Sequence, residues 1–204
     1  MTIAAAIAAL SALLHLFAED ALGPLGPFVK MTPVMVLAAF VLRASRTPAR
    51  RLAGLGLVVG AVADAAIEFS FIAGLATFLV AHLLYIAAFV RVDARLRILR
   101  LLPVALWAGA ALPVLVTHAG SLALPVLVYG IVIFTMIWRA AAALEGPGWN
   151  AGTIGLLGAM LFGLSDTLLG YARFVAPVPA SNFLIMGTYW GGQALIAASF
   201  LKRP

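Results

Sequence analysis

Two aspartates, Asp64 and Asp166, lie inside stretches that otherwise hold apolar and small residues, GLVVGAVADAAIEF and GLLGAMLFGLSDTLLGY. A carboxylate at the centre of a helix in lipid costs about 2.5–3.5 kcal/mol on insertion scales, and the chain has only 7 acidic residues. Two carboxylates in one buried polar site can divide general acid and general base work between them, one delivering a proton while the other steers water. Further polar side chains stand in equally apolar surroundings. His82 and Tyr85 are three residues apart in FLVAHLLY, and Ser165 precedes Asp166. Asn182, Tyr189 and Gln193 follow one another at spacings of seven and four, which makes one helical stripe. Lys30 and Arg173 supply cations suited to an anionic group on a substrate. Glu68 shares a helical face with Asp64 and reads as a helix-end residue in water. His15 and His118 read as helix-end residues without a role.

The elements that must position these groups are membrane helices. The chain is 204 residues long, 65% hydrophobic and 10% charged, against roughly 25% charged in a soluble domain. Helices are expected near 2–18, 31–43, 52–68, 71–90, 99–117, 121–143, 151–171 and 182–201, with the second and third short for full spans. The expected fold is all-α, a bundle of eight transmembrane helices forming a single transmembrane domain over 1–204. The first apolar run lacks a positive n-region and a clear cleavage site before Glu19-Asp20, so it is expected to be a retained helix and not a signal peptide. Pro24 and Pro27 are expected to punctuate the first loop, Gly146-Pro147-Gly148 the sixth, and Pro177 and Pro179 the seventh. Pro103, Pro113 and Pro125 fall within or at the ends of spans, where neighbouring helices can satisfy the freed carbonyls.

Eleven of the 13 lysines and arginines fall in the second, fourth and sixth connections and at the C-terminus; Lys30 and Arg173 alone fall on the other side. By the positive-inside rule both termini are cytoplasmic. This places both aspartates, His82 and the Tyr189 stripe in the outer half of the membrane, around a polar cavity open to the non-cytoplasmic side. An excess of arginine over lysine suggests a GC-rich bacterial genome, hence a bacterial inner membrane. The segments around Asp64 and Asp166 echo each other weakly, as expected by chance between alanine- and leucine-rich helices.

Several function classes fall away. The net charge of +6 sits in short loops without interleaved aromatics, so it serves topology and contact with membrane lipid, not nucleic acid. There is no cysteine, which removes disulfides and thiolate chemistry. No HExxH and no His-x3-His is present, so neither a metal nor a cofactor is expected. No lysine lies inside the eighth helix for a retinal Schiff base. A transporter or lipid-binding protein remains the alternative to an enzyme. It predicts polar access from both sides and broken helices at the midplane. The sequence sets no oligomeric state.

In an ordered set of segments the chain resembles the YhhN-type lysoplasmalogenase family of eight-span membrane proteins. The segments are Lys30-Met-Thr-Pro33, the Asp64 helix, Phe78-Leu-Val-Ala-His82-Leu-Leu-Tyr85, Gly158 through Ser165-Asp166, and the stripe from Tyr189 to Gln193. One departure is Ala63, where the family has glycine before the first aspartate; close backbone packing there is put in doubt. The resemblance implies hydrolysis of the vinyl ether of a lysoplasmalogen to a fatty aldehyde and a glycerophospho-alcohol. On that reading Asp64 and Asp166 form the acid/base pair and His82 and Tyr85 orient them or the water. Tyr189, Gln193, Ser165 and Asn182 support the site, and Lys30 or Arg173 holds the substrate phosphate. Which aspartate is the acid stays open at this point.

Overall fold

The computed structural model describes residues 2–203, with the side chains of Thr2, Glu19 and Asp20 outside the described residues. Among the described residues there are eight long helices and no strand: α1 (Thr2–Leu22), α2 (Gly26–Arg43), α3 (Pro48–Phe69), α4 (Phe71–Val92), α5 (Leu101–His118), α6 (Ala123–Ala142), α7 (Ala151–Phe174) and α8 (Ser181–Lys202). The helices α2 to α8 are each long and apolar enough to cross a membrane, while the apolar part of α1, Ile3–Ala18, is shorter. The chain is an all-helical integral membrane protein. Ala18 leaves the helical region (φ −137°, ψ 25°) and bends the last turn of α1.

The second and third helices are longer than expected, and proline is the reason. Pro24 lies in a short 3₁₀ turn, Gly23–Leu25, and Pro27 stands in the first turn of α2. Pro48 opens α3 in the same way. The first turn of a helix needs no amide donor from these positions, so a proline there starts a helix and does not interrupt one. Lys30 therefore sits inside α2 and does not mark its start. Side chains cap three entries, those of α3, α4 and α7: Thr47 accepts from the Arg50 amide, Ser70 from Ala73 and Asn150 from Thr153. Ser70 alone separates α3 from α4, serving as C-cap of one and N-cap of the other.

Small residues let the inner helices approach. A Cβ placed on Gly158 of α7 would lie 2.7 Å from the Ile196 amide of α8, and one on Gly56 of α3 would lie 2.6 Å from the Tyr85 ring of α4. Glycine at such crossings brings backbones together where water gives no hydrophobic drive between helices. Ala63 is fully buried. The close approaches on α3 occur one and two turns earlier, at Gly60 and Gly56, so alanine before Asp64 does not open the packing. α5 is peripheral, burying only Val104 and Leu115.

Three of the arginines expected to serve topology also hold helix ends. Arg50, 8% exposed, donates to the carbonyls of Ala44, Phe200 and Arg203, tying α3 to the ends of α2 and α8. Arg139, 4% exposed, donates to the carbonyls of Asp93 and Arg95 just beyond α4. Arg100 donates to the carbonyls of Ala141, Ala142 and Leu144 at the end of α6. Helix C-termini leave carbonyls unpaired, and a guanidinium answers both the missing donors and the dipole. Arg50→Gln is expected to lower stability by about 2 kcal/mol, read as a reduced thermal midpoint in detergent.

Candidate active site

Asp64 is 2% exposed and stands five residues before the end of α3. Its Oδ2 accepts a hydrogen bond from the Tyr189 hydroxyl of α8 at 2.9 Å. That hydroxyl accepts from Gln193 Nε2, one turn on, at 3.1 Å. Gln193 Oε1 in turn accepts from the Tyr85 hydroxyl of α4 at 2.7 Å. Three helices thus contribute to one chain of donors that ends on Asp64. Gly60 makes room for it, since a Cβ there would lie 3.0 Å from Gln193 Nε2. A fully buried glutamine in a lipid-facing bundle needs such partners, and the i, i+4 spacing of Tyr189 and Gln193 supplies one of them within the helix.

Asp166 stands eight residues before the end of α7. Its Oδ2 accepts from the hydroxyl of Tyr129 on α6. His82 of α4 is fully buried, with Nε2 3.9 Å from the same Oδ2. The Phe78 carbonyl, one turn back on α4, also faces the His82 ring. Rings join the two carboxylate centres: His82 packs on Phe162 at 4.7 Å and on Tyr129 at 5.3 Å, while Phe162 also packs on Tyr189 at 5.1 Å. Phe78 completes the cluster against Phe162 and Tyr189. The aspartates share no hydrogen bond with each other. They form two tyrosine-bound centres within one aromatic core.

A mostly apolar pocket reaches Asp166 and Tyr129. Phe71, Phe78, Leu115 and Phe134 line it, together with the outer part of α7. Asp64 does not line it. At its end a second, polar cavity is lined by Lys30, Glu68, Ser70 and Arg173, and the two share Ile67, Phe71 and Leu169. The backbones of α4 and α7 stay apart here, and aromatic pairs fill the seam: Phe71 against Phe174, Phe78 against Phe162.

The remaining expected site residues divide. Lys30 pairs with Glu68 at 2.5 Å and not with either aspartate, so Glu68 is an ion-pair partner and not merely a solvated helix end. The Arg173 guanidinium lies over the Phe71 ring, 5.0 Å from its centroid. Ser165 donates to the Ile185 carbonyl and fastens α7 to α8. Asn182 occupies the first turn of α8, about two turns from Tyr189. His15 is not at a helix end: it is buried within α1 with its ring edge-on to Trp190 at 5.7 Å. Tyr129 was not among the expected site residues. The signal available for it is a tyrosine in the middle of an apolar span, whose hydroxyl must find a partner.

The YhhN family model matches residues 25–200. Lysoplasmalogenase TMEM86B of Homo sapiens is 36% identical over 191 residues, covering 91% of this chain and 80% of the relative. The protein of the same name from Sus scrofa is 35% identical, covering 88% and 76%. A lysoplasmalogenase of Mycobacterium tuberculosis is 29% identical over 138 residues, covering 64% of this chain and 51% of the relative. No solved structure gives a significant match.

Proposed function

The chain belongs to the YhhN family, and on that footing we propose that it is a membrane-embedded lysoplasmalogenase, a single transmembrane domain that hydrolyses the vinyl ether of a one-chain ether lysophospholipid. The observation that carries the chemistry is the pairing of an apolar pocket ending on Asp166 and Tyr129 with a polar mouth bearing Lys30 and Arg173. A lysolipid has the same two ends. Its phosphate suits the cations at the mouth and its chain suits the aromatic and aliphatic wall. The free space in the apolar pocket, about 50 Å³, is room for water and not for a whole chain. A chain enters by parting the side chains that alone close the α4–α7 seam, which opens towards lipid.

Vinyl ether hydrolysis needs a proton on the β-carbon, giving an oxocarbenium ion; water then adds to the α-carbon, and the hemiacetal collapses to aldehyde and alcohol, returning the proton. Asp166 is the carboxyl that lines the pocket, so it takes the part of the acid. Tyr129 holds one of its oxygens and leaves the other towards the substrate. His82, with Nε2 3.9 Å from Asp166, offers an acceptor to the incoming water. Asp64, behind the Tyr189 hydroxyl, supplies the base-side carboxylate and holds the Tyr85–Gln193–Tyr189 chain against the aromatic core. Charge distribution among the connections favours both termini in the cytoplasm and so α1 as an eighth membrane helix; the excess of arginine over lysine favours a bacterial inner membrane.

The test is aldehyde release from lysoplasmalogen by purified protein, with Asp64→Asn and Asp166→Asn beside it. Activity in the parent and its loss in both variants is the expected result. Full activity in both variants would sink the acid/base assignment, and no release from any ether lysolipid would sink the enzyme class. At the mouth, Arg173→Gln is expected to raise KM about tenfold with kcat little changed, since its contact is with a group remote from the reacting carbons. Steady-state kinetics on micellar substrate reads this directly.

A further inference from the structure

The end of the bundle opposite the mouth holds a second cavity, of about 910 Å³, that the hydrolytic reading does not use. Its walls come from segments far apart in sequence. Thr47 precedes α3, Arg91 ends α4, and Asp93 to Arg97 form the following connection; Ala143 to Glu145 follow α6, and Arg203 follows α8. Loops at helix ends are ordinarily mobile. Both main walls of this one are pinned by arginines that donate to their backbones, Arg139 to the carbonyls of Asp93 and Arg95, and Arg100 to those of Ala141, Ala142 and Leu144. Asp93 stiffens the first wall further. Its carboxylate accepts from the Arg95 amide at 2.8 Å and pairs with the Arg97 guanidinium at 3.3 Å.

Four guanidiniums line the cavity against two carboxylates. Arg97 is matched by Asp93 and Arg203 by Glu145. Arg91 and Arg95 remain, exposed, on a rigid wall, with no acidic side chain bonded to either among the described residues. Planar guanidiniums carried on a wall whose backbone is pinned at the level of the helix ends suit a phosphate oxygen pair. Basic recesses between membrane helices on the positively charged side take lipid headgroups by the same chemistry. The geometry points to a phosphate-binding site built from Arg91 and Arg95 at this end of the bundle, for an anionic phospholipid headgroup or a free phosphate, separate from the hydrolytic pocket. A positive face set by topology alone needs a number of charges but no recess lined by cations that no carboxylate bonds.

The site is independent of the hydrolytic reading, and its test is binding. Purified protein in phosphatidylcholine nanodiscs containing a minor fraction of phosphatidylglycerol is delipidated by detergent exchange, and retained lipid is read by native mass spectrometry. The parent is expected to retain phosphatidylglycerol over phosphatidylcholine, and Arg91→Gln/Arg95→Gln to reduce that retention about tenfold. Arg43→Gln/Arg51→Gln removes equal charge from exposed positions at the same end but outside the cavity, and is expected to leave retention intact. Inorganic phosphate, titrated calorimetrically into the detergent-solubilised parent and the Arg91/Arg95 variant, reads the free-anion arm. Phosphate binding lost in that variant supports the site with a soluble ligand. Retention of phosphatidylglycerol lost in that variant alone supports it with a lipid one. Equal loss in both double variants, or neither lipid retention nor phosphate binding in the parent, overturns the proposal. Unchanged elution volume and hydrolytic rate check that the variants are folded.

Discussion

Asp166→Asn is expected to lower the rate of vinyl ether hydrolysis about 10³-fold, with substrate binding retained. The amide matches the carboxyl in shape and can still accept from Tyr129, so the pocket wall stays in place. What it lacks is an acidic proton for the β-carbon, and a general acid contributes about 10²–10⁴-fold to such a step. The fall belongs in kcat, because the substitution leaves Lys30 and Arg173, the proposed headgroup contacts, untouched. Solvent deuterium sharpens the measurement: a proton transfer to carbon gives a solvent isotope effect, and slowing that transfer in the variant leaves the effect fully expressed, at least as large as in the parent. Tyr129→Phe is the companion. It keeps the ring against His82 and removes only the hydroxyl that fixes Asp166, so a loss smaller than that of Asp166→Asn is expected. An Asp166→Asn protein with parental kcat would remove Asp166 from the chemistry.

Gly192→Val is expected to lower stability by about 3 kcal/mol and to abolish activity with it. A Cβ at this position would lie 2.8 Å from the Gly158 carbonyl oxygen and 2.8 Å from the Phe162 amide nitrogen. Both obstacles are backbone, so no rotamer change relieves the clash and α7 must part from α8. Phe162 moves with α7, and its ring is the piece that touches both His82 and Tyr189. Packing and catalysis therefore fail together. Gly187→Val, on the same helix, is the control. Nothing lies within 4 Å of its Cβ position, and the thermal midpoint is expected to stay near the parental value. Equal stability of the two variants would show that the α7–α8 crossing does not require glycine.

Much of this was legible in the sequence because the membrane makes its demands locally. Apolar runs long enough to span mark the helices, and an acid within such a run marks a site. The eight helices and the inclusion of His82, Tyr85, Tyr189 and Gln193 in the polar core followed from those two facts; the family came from the ordered set of segments that the chain shares with it. Helix starts were harder. A proline reads as a break until its place in a first turn is known, and so Pro27 and Pro48 looked like loop residues. Pairings were hardest, since they depend on which faces meet. Lys30 and Glu68 are 38 residues apart, and no spacing rule joins them. Tyr129 has no acidic or basic neighbour in sequence to draw attention to it. The arginines near helix ends satisfied a topology rule so completely that their hydrogen bonds to carbonyls left no separate trace.

Because every donor between Tyr85 and Asp64 points the same way, the chain also acts as a key for helix register. A slip of one residue in α8 turns Tyr189 and Gln193 by about 100° and breaks both links to the other helices at once, since neither Tyr85 nor Asp64 can follow from its own helix. Apolar helices rich in alanine and leucine slide past one another with little penalty, one layer of methyl groups replacing another. Four polar side chains from three helices remove that freedom, because only one alignment leaves none of them unpaired in a dry interior. The same buried groups that surround the site thus select a single assembly of the bundle from its near-equivalent alternatives.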